Sequence, residues 1–68
     1  MSFSEVRRAK GYTQKKLAQS TGISQSAIAN YESGKRRPDM IRAKRMAEVL
    51  NISLDDIYEF LGISSEIS

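Results

Sequence analysis

Five residues suited to closing a helix divide the chain at short intervals: Gly11, Gly22, Gly34, Asn51 and Gly62. Glycine, and to a lesser degree asparagine, enters the left-handed backbone region that ends a helix at little cost. Each resulting segment begins with a residue suited to opening one: Ser2, Thr13, Ser24, Asp39 or Ser53. A short side-chain oxygen there can accept a hydrogen bond from a free N–H of the first turn. Ser2 with Glu5 has the spacing of a capping box, and Ser53 with Asp56 has a weaker version of it. Three starts also place one apolar residue before the cap and another four positions into the helix: Tyr12 with Leu17, Ile23 with Ile28, and Ile52 with Ile57. This punctuation predicts helices over 3–10, 14–21, 25–33, 40–50 and 54–61. No stretch alternates apolar and polar residues for long, so strands are not expected. The expected fold class is all-α, a compact bundle of five helices.

Sixty-eight residues allow one domain with a small core. We assign 1–62 to that domain and 63–68 to a short C-terminal tail. The expected core is Phe3, Val6, Leu17, Ala18, Ile23, Ile28, Tyr31, Met40, Ala43, Met46, Ala47, Leu50, Leu54, Ile57 and Phe60. The chain contains neither Cys nor His, which excludes a disulfide framework and a plausible zinc site. No metal and no cofactor is expected. The apolar runs are too short to span a membrane, and MSFSEVRRAK lacks the apolar stretch of a signal peptide. The expected location is the cytoplasm.

Charge is unevenly distributed. Residues 1 to 45 hold all eleven cations and only three acids, a net +8, whereas residues 46 to 68 hold five acids and no cation, a net −5. A basic region joined to an acidic end fits a polyanionic partner on one side only.

The segment Thr13–Pro38, TQKKLAQSTGISQSAIANYESGKRRP, carries the functional signal. It reads as two short helices joined by a turn at Gly22 and followed by three cations. At about 100° per residue, Ala27, Ile28 and Tyr31 share one side of the second helix. Gln25, Ser26, Ala29 and Asn30 share the other, a polar strip narrow enough to enter a groove. The amides of Gln25 and Asn30 each offer a donor and an acceptor, the pair that matches N6 and N7 of adenine in the major groove. Ala29 suits a thymine methyl. The same strip alone is also what an ordinary solvated helix face looks like. Gln14 opens the first of the two helices, where free N–H groups and the positive helix end suit a phosphate. Lys15 and Lys16 follow in that turn, against the helix dipole, which hints at a negative group nearby, and Lys15 joins the phosphate-contacting set. Lys35, Arg36 and Arg37, with Arg42 beyond Pro38, are placed to neutralise phosphates without reading sequence.

The pattern TQ-x-x-LA-x-x-x-G-I-S-x-x-x-I-x-x-YE-x-G-x-R-x-P resembles the phage repressor and Cro family, whose bacterial members are called xenobiotic-response-element regulators. The resemblance extends from Phe3 to about Leu61. It implies a lambda-repressor-like domain with a helix-turn-helix at the second and third helices. It implies base contacts at Gln25, Ser26 and Asn30 and a backbone grip by Gln14, and we place Ser24 with the phosphate-contacting set. It also implies a structural ion pair between Arg7 and Glu32, which keeps Glu32 from repelling phosphates. Lys44 departs from the family, which often carries an apolar residue there.

The resulting expectation is a sequence-specific, double-stranded-DNA-binding transcriptional regulator of phage or bacterial type, most simply a repressor. Related alternatives are an antitoxin or restriction-controller protein acting on its own operon, or an interaction module that has lost DNA reading. Without His or Cys, and with most acids in the C-terminal part, an enzyme is not expected. One recognition helix reads too few base pairs to discriminate within a genome, so a homodimer on a palindromic operator is expected. Its contact would run through Leu61, Ile63 and Ile67, with activity controlled by concentration, by operator affinity or by a separate protein partner.

Overall fold

The computed structural model describes residues 2–62, so Ile63 and Ile67 lie outside the described residues. Five helices follow in order: α1 (Phe3–Ala9), α2 (Gln14–Thr21), α3 (Gln25–Ser33), α4 (Met40–Leu50) and α5 (Leu54–Phe60). There is no strand among the described residues.

Each start is fixed by its cap. Ser2 Oγ accepts from the Glu5 N–H at 3.3 Å while the Ser2 N–H donates to Glu5 Oε1 at 2.8 Å, a complete capping box. Thr13, Ser24, Asp39 and Ser53 accept from Lys16, Ala27, Arg42 and Asp56 in the same way. At Ser53 only the forward half of the box forms among the described residues. α2, α3 and α4 close on Gly22, Gly34 and Asn51, with φ of 75°, 82° and 58°. α1 and α5 each end one residue earlier than expected, on Lys10 and Leu61. At the first of these the Gly11 and Tyr12 N–H groups bond back to Arg8 and Arg7 carbonyls, so glycine stands one residue beyond the cap.

All five helices contribute to one core. Phe3, Leu17, Ile28, Met46, Leu50 and Ile57 are fully buried within it, each such side chain contributing about 1.5–3 kcal/mol. α4 is the central element, packing on both α2 and α5, while α3 rests on α2 and α1 on α5. Four of the expected core residues are corrected. Met40 is 66% exposed rather than buried. Helical side chains lean toward the N-terminus, so a first-turn residue leans off the end of the face formed by Ala43, Met46, Ala47 and Leu50. Ala18, Leu54 and Phe60 are half-buried, packing on the core without being enclosed by it. Lys44 is exposed, so α4 packs on its neighbours through other residues.

Candidate nucleic-acid interface

The α2–α3 turn sets how α3 is presented. Gly22 takes the left-handed conformation, and Ile23 beyond it is buried. The buried Thr21 hydroxyl donates to the Leu17 carbonyl at 2.7 Å and accepts from the Ile23 N–H at 3.2 Å. That bridge fastens both sides of the turn and was not visible in the residue pattern, because Thr21 reads there as an unremarked last helical residue.

α3 then buries Ile28 and Tyr31 and leaves Gln25 and Ser26 exposed, with Ala27, Ala29 and Asn30 half-buried. No intramolecular hydrogen bond among the described residues engages the side chains of Gln25, Ser26 or Asn30. Their polar atoms are available. Ser33, one turn beyond Ala29 and Asn30, is exposed on the same strip. The period that selected the others reaches it too, so Ser33 could have been found.

A shallow hollow lies on each side of the start of α3. One is lined by Gln25 together with Arg8, Thr13, Gln14 and Lys15. The other is lined by Ser24, Ser26 and Asn30 together with Arg36, Arg37 and Arg42. The polar strip therefore runs between two cationic flanks. Ala29 lines neither hollow, and Lys35 is exposed outside both. Arg8 and Thr13 were missed from the sequence, since nothing local links them to a residue more than ten positions away. The second flank is tied to α3 by the chain itself, since the Asn30 carbonyl accepts from the Lys35 and Arg36 N–H groups at 2.9 and 3.3 Å.

Among the described residues there are two ion pairs, and they leave most of these cations free. Arg42 Nη1 meets Asp39 Oδ2, with both side chains about half exposed. The Arg42 backbone N–H, and then the Arg42 and Arg45 charges, hold the Asp39 carboxyl below its ordinary pKa despite some desolvation. Asp39 therefore carries negative charge at the rim of the second hollow, offset by Arg42. The other pair is interior: Arg7 Nε donates to Glu32 Oε2 at 2.7 Å, and the side chains are only 6% and 12% exposed. Arg7 Nη1 also donates to the Tyr12 carbonyl at 2.7 Å. Gln14 is half-buried, and its Nε2 donates to Glu32 Oε1 at 2.9 Å. Lys16 Nζ sits 5.5 Å from the centre of the Tyr12 ring, a cation–π contact that accounts for one of the two lysines opposing the α2 dipole.

The helix-turn-helix family model matches residues 3–57. The chain belongs to the helix-turn-helix family of Cro/C1 type. Over 51 residues it is 43% identical to the HTH-type transcriptional regulator YazB of Bacillus subtilis (strain 168), covering 75% of this chain and 74% of YazB. It is 35% identical over 52 residues to the HTH-type transcriptional regulator y4dJ of Sinorhizobium fredii (strain NBRC 101917 / NGR234), covering 76% of this chain and 68% of y4dJ. It is also 35% identical over 51 residues to the SPbeta prophage-derived HTH-type transcriptional regulator YonR of Bacillus subtilis (strain 168), covering 75% of this chain but 47% of YonR. No solved structure matches. Membership makes this helix-turn-helix chain a DNA-binding transcription regulator rather than an enzyme. No described helix is long and apolar enough to cross a membrane.

Proposed function

We propose that this helix-turn-helix protein is a repressor that binds a palindromic operator as a homodimer and blocks polymerase sterically. The observation that carries DNA reading is the unpartnered polar strip between two cationic flanks. Gln25, Ser26, Ala29 and Asn30 face base edges in the major groove. Gln14 and Lys15 on one approach, and Ser24, Lys35, Arg36, Arg37 and Arg42 on the other, hold the phosphates. A prophage-derived relative such as YonR fits a repressor of this kind.

Dimerisation is assigned to the α5 end. It carries no cation and so avoids DNA, and its apolar residues Leu54, Tyr58, Phe60 and Leu61 are only half-buried. Ile63 and Ile67 extend the same apolar composition. A twofold axis then sets two recognition helices about 34 Å apart in successive major grooves. Footprinting with sedimentation tests this reading. We expect two protomers protecting two half-sites, with Leu61→Glu weakening self-association. A single half-site protected by a monomer at its working concentration contradicts it.

A further inference from the structure

Arg7 and Glu32 are the obvious candidates for a purely architectural pair, since both are nearly buried and bonded to each other. The Gln14 contact changes that assignment. Glu32 Oε1 accepts from Gln14 Nε2 at 2.9 Å, across eighteen residues of sequence. Gln14 is the first residue of α2 and lines the hollow that also holds Gln25, Arg8 and Lys15. One carboxylate therefore accepts from Arg7 on α1 and Gln14 on α2 while it is itself carried by α3.

We infer that Glu32 is a positioning residue for DNA recognition, acting through the side-chain amide of Gln14. This inference rests on the DNA-reading function proposed above. A primary amide has two N–H donors and one carbonyl acceptor. With one N–H committed to Glu32, Gln14 holds a single orientation before DNA arrives. Its second N–H and its carbonyl remain for the hollow, the first for a phosphate oxygen and the second for a donor such as the Gln25 amide. The Thr13 cap takes the Lys16 N–H, leaving the Gln14 and Lys15 N–H groups at the helix end to point at the same phosphate. A free glutamine on that surface would be ordered only on binding and would weaken it; pre-ordering removes that penalty. Glu32 also places a negative charge near a phosphate, which by itself opposes binding. Arg7 offsets that charge, so the net effect on DNA affinity separates the two roles: as a bystander the paired Glu32 leaves binding unchanged, and as a positioner it strengthens it.

The test uses a charge-neutral change, Arg7→Met with Glu32→Met, because replacing both members of a buried pair by apolar residues of similar volume is often tolerated. Duplex affinity is measured by fluorescence anisotropy on selected and random DNA, at a temperature where melting curves show every variant folded. The expected result is roughly tenfold weaker binding, the scale of ordering one long side chain. In a Gln14→Ala background, the same two changes should cost nothing further. Full affinity in the folded double variant overturns the inference, and so does an equal loss in the Gln14→Ala background. If the double variant does not fold, Glu32→Leu, which leaves Gln14 no acceptor, carries the test at a temperature where its melt shows it folded. It removes a negative charge near phosphates, yet it should weaken binding only when Gln14 is present; tighter binding overturns the inference. Absence of salt-dependent duplex binding by the unaltered protein would remove the DNA reading and this role together. Strong binding by the unaltered protein and its variants alike removes the positioning role alone.

Discussion

At the scale of single residues, side chains with one neighbour set and side chains with several behave differently. Asp39 has mainly its own helix start. Its carboxyl lies below the ordinary value of 3.8, first because of the Arg42 N–H, and Glu5 is lowered in the same way, first by the Ser2 N–H. A carboxyl lowered by folding stabilises the protein fully above its unfolded-state pKa, and that contribution is lost as pH falls through the lowered value. Melting temperature should therefore drop on acidification from neutral pH to about pH 3. Asp39→Asn keeps a capping side chain but should show a smaller drop; an acid response identical to that of the unaltered protein contradicts the assignment. Glu32 bonds at once to Arg7 on α1 and to Gln14 on α2. Glu32→Ala strands the buried Arg7 charge, and for a fully buried pair that costs about 3–5 kcal/mol. The 12% exposure of Glu32 puts the expected loss toward the lower end. A thermal melt unchanged by Glu32→Ala contradicts the structural half of its role. The Asp39 cap could be read from a three-residue spacing, whereas the Arg7–Glu32 pair followed from family resemblance and the Gln14 bond from neither. A contact across eighteen residues depends on how α2 and α3 cross, and no local pattern encodes it.

At the scale of elements, the helices were legible because their ends are decided by local chemistry. All five N-caps are short polar residues whose oxygen reaches an N–H three residues on. The ends of α1 and α5 were set one residue late for an equally local reason, the glycine lying beyond the cap rather than on it. Burial was less legible. Met40 and Phe60 satisfy the apolar period of their helices, but whether a periodic residue is covered depends on which helix stands opposite. Gly22 shows how much one backbone position contributes. A Cβ added there meets nothing closer than Arg45 Nη1 at 3.8 Å, so Gly22→Ala costs only the left-handed conformation, about 1–2 kcal/mol. Gly22→Asn should recover part of this, since asparagine tolerates that region, as Asn51 does in this chain. Denaturant titrations check the order Gly, Asn, Ala; equal stability of all three contradicts it.

At the scale of the whole molecule, the charge division read along the sequence becomes a division of surfaces among the described residues. The described basic residues of both hollows flank α3, and α5 carries acids with half-buried apolar side chains. DNA binding should accordingly contain two separable contributions, one reading bases through the α3 strip and one neutralising phosphates through the flanks. The most direct measurement is a salt titration of duplex affinity on selected and random DNA, for the unaltered protein, Gln25→Ala and Arg36→Ala. Gln25→Ala is expected to lose about 1–3 kcal/mol on the selected sequence, relax preference at one base pair and keep the salt slope. Arg36→Ala should weaken both DNAs similarly and flatten the slope by about one. A Gln25→Ala protein with an unchanged sequence profile would contradict base reading by α3.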